Sequence, residues 1–363
     1  MSDSLRTAAE TALDGLVDPW TGASLKPSLR ELALTDGCLR VALQLGYPSA
    51  GLAADLKPAI EAALADLPGV QAVEVTLTHA IVAHAVQQGT QAIAGVKNVI
   101  AVGSGKGGVG KSTTAVNLAL ALAREGARVG VLDADVYGPS LPTLLGITDR
   151  PQLVAGDERR IAPLIGHGLQ CMSIGFLIDP DAPMVWRGPL ATQALEQLIR
   201  DTAWDDLDYL VVDLPPGTGD IQLTLAQRVP VSGAIIVTTP QDIALLDAVK
   251  GLKMFEKVKV PILGIVENMS THICSRCGHE EHIFGAGGGA RMAEKHGVPL
   301  LGSLPLDIRI REQADGGHPT VVAEPDGAVA RAYREIALRA AGRLATRGKD
   351  YARRFPKITV VND

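Results

Sequence analysis

The strongest constraint on this chain is a glycine-rich run, GSGKGGVGKSTT, at residues 103–114. It follows the apolar segment Val99–Val102 and precedes apolar residues at helical spacing from Ala115 to Leu122. Glycines between a strand and a helix let backbone N–H groups approach phosphate oxygens closely, and the helix N-terminus adds positive potential. The run therefore predicts a loop that binds the phosphates of a nucleotide.

Two side chains of this loop have predictable roles. Lys111 is expected to reach the β- and γ-phosphates, and the Ser112 hydroxyl is expected to bind Mg²⁺. The residues predicted to surround the phosphates are Gly105, Lys106, Gly107, Gly108, Val109, Gly110, Lys111, Ser112 and Thr113.

Acidic residues close two apolar segments further along the chain. Asp133 and Asp135 follow Val129–Leu132, and Asp213 follows Tyr209–Val212. Ligands of parallel α/β sheets bind at the carboxyl ends of the strands, so these carboxylates are expected beside the phosphate loop. Asp213 fits the acidic residue that holds Mg²⁺ through water.

Apolar strands alternate with helical patterns from residue 98 onwards, which predicts a parallel sheet covered by helices on both faces. A final amphipathic helix is predicted over Ala328–Ala345, packed on that sheet. The predicted fold class is α/β, a P-loop NTPase with a mostly parallel sheet flanked by helices. The predicted strands are Val99–Val102, Val129–Ala134, Tyr209–Asp213, Ala234–Thr238, Ile262–Glu267 and Leu300–Leu304.

The residues before this region predict a small N-terminal α+β domain. Leu39 to Leu45 alternate as in a strand, a helical pattern follows from Leu52 to Leu67, and Val73 to Leu77 alternate again. The predicted organisation is an N-terminal domain (1–80), a linker (81–97), an ATPase domain (98–348) and a C-terminal tail (349–363).

Composition and charge exclude several functions. The net charge is −6, and aromatic residues make up only 3%, which argues against a nucleic-acid partner. No apolar run approaches the ~18 residues that span a bilayer, so no membrane association is expected. The N-terminus has no apolar signal segment, and the four cysteines are too few for a disulfide framework. We therefore expect a cytoplasmic protein.

The second lysine of the loop, Lys106, carries a family resemblance. GKGGVGKS resembles the deviant Walker A motif of the MinD, ParA and nitrogenase iron-protein group, which act as nucleotide-sandwich dimers. Four other stretches resemble the Mrp-type iron–sulfur cluster carrier ATPases within that group, and VDPWTGASL (17–25) lies at the start of a MIP18-like domain. The four are DADVYGPSLP (133–142), VVDLPPGTGD (211–220), VENMS (266–270) and CSRCGH (274–279).

The resemblance implies a role for each matching residue. Lys106 would reach the partner's nucleotide, and Asp135 would orient the attacking water, so that Lys106, Lys111 and Asp135 form the catalytic set. Asp133 would lie in the Mg²⁺ shell, and Gly217 would sense the γ-phosphate through its N–H. Asn268 would hydrogen-bond the adenine of ATP. Cys274 and Cys277 would be ligands of the cluster.

The two cysteines of CSRCGH cannot complete a cluster within one chain. A [4Fe–4S] cluster held by thiolates needs four ligands, and a symmetric homodimer supplies them if both pairs lie near its two-fold axis. A zinc site, either between two copies or completed by His279 or His282, remains open, as does a redox dithiol. Cys38 is interpreted as a bystander on the polar face of its strand and Cys171 as a small buried apolar residue.

The resulting hypothesis is a slow ATPase that binds ATP, Mg²⁺ and a labile [4Fe–4S] cluster at a homodimer interface. Its partners would be apo iron–sulfur proteins and cluster assembly factors. The alternative is a zinc-stabilised positioning ATPase of the MinD/ParA kind that binds membrane or DNA. The tail KDYARRFPKITVVND argues against membrane binding, because Pro356 interrupts it and it lacks a strong apolar face.

Overall fold

The computed structural model describes residues 1–87, 89–178, 188–274 and 276–348. The predicted tail, 349–363, lies outside the described residues. A small three-stranded sheet at the N-terminus has the order β1-β2-β3, with β1 antiparallel and β3 parallel to β2. Its elements are α1 (Asp3–Asp14), β1 (Leu29–Thr35), β2 (Cys38–Leu45), α2 (Ala53–Ala65) and β3 (Ala72–His79).

The predicted strand–helix–strand pattern of this first region is present as β2, α2 and β3, and the alternation of β2 buries Leu39, Val41, Leu43 and Leu45. Two elements were not predicted. Helix α1 buries Leu5, Ala9 and Leu13 at four-residue spacing, and the hydroxyl of Ser2 caps it by accepting from Leu5 N at 3.3 Å. Strand β1, with the sequence LRELALT, was not predicted from the sequence, and in the structure its half-buried and exposed residues do not alternate regularly.

The large sheet has eight strands in the order β15-β12-β11-β4-β10-β5-β9-β8, and every neighbouring pair is parallel except the edge strand β8 with β9. The α/β P-loop fold is therefore confirmed. Its strands and the smaller pairs are β4 (Val96–Gly103), β5 (Val129–Asp133), β6 (Leu153–Val154), β7 (Asp157–Ile161), β8 (Leu164–Gly166), β9 (Leu169–Ser173), β10 (Leu207–Asp213), β11 (Gly233–Thr238), β12 (Ile262–Glu267), β13 (His272–Ile273), β14 (Glu280–Glu281) and β15 (Leu300–Ser303).

All six strands predicted for this region are present. The central strand β10 is buried along its whole length, as expected of a parallel strand covered on both faces. Strands β8 and β9 were not predicted. The turn that joins them has positive φ at His167 (49°) and Gly168 (82°), a turn geometry suited to two-residue hairpins.

Helices cover the large sheet. The last helix, α11, packs on α3 and on strands β12 and β15, which confirms the predicted packing of Ala328–Ala345 on the sheet. Among the described residues, no helix is long and apolar enough to cross a membrane. The helices are α3 (Lys111–Arg124), α4 (Leu141–Leu145), α5 (Gly188–Asp201), α6 (Asp220–Arg228), α7 (Asp242–Lys257), α8 (Gly288–His296), α9 (Ile308–Asp315), α10 (Thr320–Ala323) and α11 (Ala328–Ala345).

The segment predicted as a linker connects β3 to β4. Its described residues contain no helix, and β4 begins at Val96, two positions before the predicted start of the ATPase domain. Ile81 and Ile93 are buried, and the buried Asn98 side chain donates to Val82 O at 2.9 Å. This connection is therefore packed against the large sheet. The limits 1–80, 81–97, 98–348 and 349–363 themselves stay predictions.

A charged contact joins the N-terminal domain to the end of α3. Glu125 is buried and forms an ion pair with Arg334 of α11, which also pairs with Asp55 of α2 at 3.2 Å. The second carboxylate oxygen of Glu125 accepts from Gly51 N at 2.9 Å, and its backbone carbonyl accepts from Ala50 N at 3.0 Å. One carboxylate thus holds a loop of the N-terminal domain against the helix that follows the phosphate loop.

We expect Glu125→Ala to lower the free energy of unfolding by about 2 kcal/mol, because it leaves the Gly51 N–H without its acceptor and the partly buried Arg334 guanidinium with Asp55 alone. Urea unfolding would measure the loss. The matched control is Arg124→Ala, since Arg124 pairs with the exposed Asp326 and such pairs contribute about 0–1 kcal/mol. Equal effects of both substitutions would contradict this reading of Glu125.

Candidate nucleotide and metal-binding site

The predicted nucleotide-binding residues meet at the carboxyl edge of the large sheet. Strands β4, β10 and β5 are neighbours, and Asp213 pairs in register with Asp133 on one side and with Val102 on the other. The phosphate loop starts directly after β4. Strand register alone therefore places both carboxylates beside the loop, as the sequence predicted.

Glycine is required at several positions of the phosphate loop. Gly108 and Gly110 have φ near +80°, a conformation that side chains disfavour. Gly105 faces the first turns of α7, where an added Cβ would lie 2.1 Å from the Asp247 carbonyl carbon. The loop is therefore fixed both by its own backbone geometry and by the close approach of α7. Helix α3 begins at Lys111, so its N-terminus faces the loop.

Lys111 is almost fully buried and forms an ion pair with Asp213. Its ammonium also donates to Ser112 Oγ at 3.2 Å. The same two oxygen-bearing side chains are those expected to hold Mg²⁺, which prefers oxygen ligands. In this arrangement the lysine therefore supplies the positive charge that balances Asp213.

Asp133 is held by four donors. Its carboxylate accepts from the backbone N–H groups of Asp135, Ser140 and Leu141 at 2.9–3.0 Å, and from Ser173 Oγ at 3.2 Å. Burial raises the pKa of Asp133 to about 7, and the Asp213 carboxylate also raises it, against the lowering effect of the N–H donors. A nearby cation would favour the ionised form, so this carboxylate suits a site that binds Mg²⁺.

The other residues with predicted nucleotide roles lie on the same edge. Asp135 is half-buried and accepts from Gly138 N at 3.3 Å. Gly217 N donates to Ser104 O at 3.0 Å, and Asn268 Nδ2 donates to Val109 O at 2.9 Å. Lys106 is half-buried, and its carbonyl accepts from Ser104 Oγ at 2.9 Å. Gly217 and Asn268 therefore contact the phosphate loop directly.

Cys274 and Cys277 lie in a tight turn between β13 and β14. Cys274 N donates to His279 O and Gly278 N donates to Cys274 O, both at 2.9 Å, so the turn is closed by its own backbone. Cys274 is half-buried and Cys277 is exposed. Backbone N–H groups of Arg276 and Cys277 lower the pKa of Cys274, which favours the thiolate that binds metals.

The histidines near this turn are partly engaged elsewhere. His282 Nδ1 lies 3.0 Å from Ser270 O, and His279 Nε2 lies 3.9 Å from Glu281. Within the part of the chain that the structure describes, no three His, Cys, Asp or Glu side chains are grouped so that they could hold a metal ion. The two thiols of one chain are thus an incomplete ligand set in the described structure.

The remaining cysteines lie away from the turn. Cys171 is fully buried in β9, and burial raises its pKa to about 12, so it is a core residue as predicted. Cys38 is half-buried at the start of β2.

Two contacts at the site were missed by sequence reasoning. Ser173 supports Asp133 from β9, a strand that was not predicted. Glu267, at the end of β12, is buried and accepts from Gly289 N at the start of α8. The acidic end of Ile262–Glu267 was a usable signal for Glu267, whereas nothing in the sequence near Ser173 pointed to its contact.

Comparison with known proteins identifies both parts of the chain. A family model described as NUBPL iron-transfer P-loop NTPase, of the ParA type, matches residues 95–341, and one described as iron–sulfur cluster assembly protein matches residues 6–77.

Curated relatives carry related names. The iron–sulfur cluster carrier protein of Escherichia coli K12 is 53% identical over 322 residues, which cover 89% of this chain and 87% of the relative. The iron–sulfur cluster transfer protein NUBPL of Mus musculus is 53% identical over 254 residues, covering 69% of this chain and 79% of that protein.

Among solved structures, a nucleotide-binding protein from Archaeoglobus fulgidus in complex with ADP is 36% identical, with a TM-score of 0.56 over 64% of this chain and 90% of the other. The cell division ATPase MinD of Pyrococcus furiosus is 25% identical, with a TM-score of 0.51 over 67% and 97%. The family indicated by the sequence motifs is confirmed: the chain belongs to the ParA-type family of NUBPL iron-transfer P-loop NTPases and carries an N-terminal iron–sulfur cluster assembly domain.

Proposed function

We propose that this protein is an ATP-binding and ATP-hydrolysing iron–sulfur cluster carrier that holds a labile [4Fe–4S] cluster between two copies and transfers it to apo-proteins. The observation that carries the proposal is the Cys274–Cys277 turn, which presents two accessible thiols on a nucleotide-binding fold. The names of the relatives, iron–sulfur cluster carrier and transfer proteins, support it.

The number of thiols in one chain supports a homodimer. Two thiolates come from each chain and a [4Fe–4S] cluster needs four, so two turns facing each other across a two-fold axis complete the ligand set. Lys106 also supports a homodimer. In the MinD, ParA and nitrogenase iron-protein group, which this chain resembles, the corresponding lysine reaches the nucleotide bound by the partner. The cluster is cargo, and four shared thiolates would release it when the two copies separate.

Helix α7 offers a surface for the second copy. Ile243 and Leu246, three residues apart, are 71% and 66% exposed. Asp247 of the same helix lies against Gly105 of the phosphate loop, and Pro240 before it lies against Gly288, after the cysteine turn. The apolar pair thus lies on the element that connects the nucleotide site to the segment following the thiols, and a partner there would bury both residues.

The chain's own residues suggest how ATP is handled. Lys111 would leave Asp213 for the β- and γ-phosphates, freeing the Asp213 carboxylate and Ser112 Oγ to hold Mg²⁺, which would neutralise charge on the phosphates. Asp135 would orient the attacking water. Gly217 N–H would exchange Ser104 O for the γ-phosphate, and Asn268 would turn to the adenine. Hydrolysis should be slow, as in P-loop enzymes that lack a complete transition-state clamp.

The proposed partners are apo iron–sulfur proteins and cluster assembly factors, with the N-terminal domain as a candidate contact for either. The net charge of −6 supports a role without nucleic acid or membrane. The free thiols suit a reducing compartment, and we propose the cytoplasm.

Ser112→Ala should weaken Mg-ATP binding by about tenfold or more, because it removes one oxygen ligand of Mg²⁺ while leaving the Lys111–Asp213 pair in place. Titration calorimetry with Mg²⁺ and with EDTA separates the metal effect from the phosphate effect. Lys111→Ala should weaken binding under both conditions. Lys253→Ala, in an exposed pair with Glu256, is the control. Unchanged Mg-ATP affinity in Ser112→Ala would refute the magnesium role.

Cys274→Ala should abolish cluster retention and leave ATP binding intact, because two thiolates per dimer cannot hold four irons. Anaerobic reconstitution with iron and sulfide, followed by iron and sulfide counts and a visible spectrum, measures this. The wild type should retain about four irons and four sulfides per dimer. Cys38→Ala is the matched control and should retain the cluster.

Wild-type iron content in Cys274→Ala would refute the cluster site. Stoichiometric zinc in the wild type, without sulfide and not displaced by iron, would favour the zinc-stabilised MinD/ParA-like positioning ATPase instead.

Ile243→Asp combined with Leu246→Asp should prevent ATP-dependent dimer formation, because a charged pair replaces the apolar contact while the phosphate loop is unchanged. Light scattering coupled to gel filtration with ATP measures the mass. Ile165→Asp is the control, since Ile165 is 66% exposed on the edge strand β8. If the double variant dimerises like the control, the second copy does not bind on α7.

A further inference from the structure

Gln222 is a buried side chain with an unusual lack of partners. It lies in the first turn of α6, which follows the Asp213–Gly219 loop, and it is only 2% exposed. Neither its Nε2 nor its Oε1 has a hydrogen-bond partner in the described part of the chain. A glutamine at this third helical position often bonds back to the N-cap N–H, and this one does not. A buried unpaired amide costs free energy, so its presence calls for a reason.

The amide lies against the junction between β4 and the phosphate loop. Gln222 Nε2 is 3.6 Å from the position that a Cβ on Gly103 would occupy, and the Phe255 ring is 3.1 Å from the same position. Gly103 is the last residue of β4, and its peptide bond leads to Ser104. The donor is therefore next to the backbone that carries the loop, with an aromatic ring closing the space beside it.

Ser104 links this junction to the two parts of the nucleotide site. Its carbonyl accepts from Gly217 N at 3.0 Å, and its hydroxyl donates to the Lys106 carbonyl at 2.9 Å. Ser104 is buried, so its carbonyl needs a donor in every state of the protein. If Gly217 N–H turns to the γ-phosphate, as proposed above, that carbonyl loses its donor.

We infer that Gln222 is a positioning residue whose side-chain amide donates to the backbone at Gly103–Ser104 when Gly217 N–H turns to the terminal phosphate. The inference rests on the proposed ATP-dependent function. The exchange keeps the Ser104 carbonyl bonded, and it gives the unpaired Gln222 Nε2 an acceptor only in the ATP-bound form. Gln222 thereby stabilises the ATP state relative to the ADP state without touching nucleotide.

The test is Gln222→Met in the full chain, which keeps the side-chain length and removes the amide. Its affinity for ADP should match the wild type, whereas its preference for a non-hydrolysable ATP analogue over ADP and its kcat should each fall about tenfold, the effect of one hydrogen bond made in one state only. The ligand-free thermal midpoint should not fall, because no hydrogen bond is lost. Gln193→Met, the same change on an exposed residue of α5, is the matched control.

Other results would overturn the role of Gln222. If Gln222→Met keeps the wild-type nucleotide preference and the wild-type kcat, the amide has no role in the ATP state. If the variant loses affinity for ADP as strongly as for the ATP analogue, Gln222 is a purely structural side chain. Gln222→Leu provides a second apolar variant if the methionine variant does not fold. A wild-type chain that does not distinguish the two nucleotides would refute the ATP-dependent function itself, together with this inference.

Discussion

The buried ion pair between Lys111 and Asp213 is the interaction on which the site depends. It joins the first residue of α3 to the last residue of β10, with both charges nearly excluded from water. Neither charge is stable there alone, so either side chain can leave only when another charge replaces it. In the proposed function, nucleotide phosphates would replace Asp213 beside the lysine, and a cation would replace Lys111 beside the carboxylate. In the structure the pair holds the start of α3 against the end of β10.

Helix α3 connects this pair to the N-terminal domain. It starts at Lys111, and directly after its last residue Glu125 binds Gly51, Ala50 and Arg334. One helix therefore spans the distance between the phosphate loop and the contact with the N-terminal domain. Helix α7 also approaches the loop at Gly105, and Pro240, just before α7, lies against Gly288 in the segment that follows the cysteine turn. The phosphate loop is therefore flanked by α3, which ends at the contact with the N-terminal domain, and by α7, which begins beside the segment that follows the thiols.

Much of the nucleotide site was predictable because its residues are close in sequence or lie at strand ends. Lys111 and Ser112 follow from the glycine pattern, and Asp133 and Asp213 follow from apolar strands that end in acids. Ser173 and Gln222 were not predictable as site residues, because each matters only through a neighbour distant in sequence. Ser173 also sits on a strand whose short apolar run lacked a clear period. Two elements of the N-terminal domain, α1 and β1, were also not predicted. Neither contains a sequence motif with a binding or catalytic role.

The amino-acid sequence by itself determined the parallel α/β fold, the phosphate loop and the paired thiols, because local periodicity and spacing encode strands, helices and turns. Only the tertiary structure decided which charge balances Asp213, which loop Glu125 holds, and where α7 exposes Ile243 and Leu246. These contacts join residues far apart along the chain. Their energies depend on burial and on the distance between side chains, and both quantities exist only once the sheet and its helices have packed.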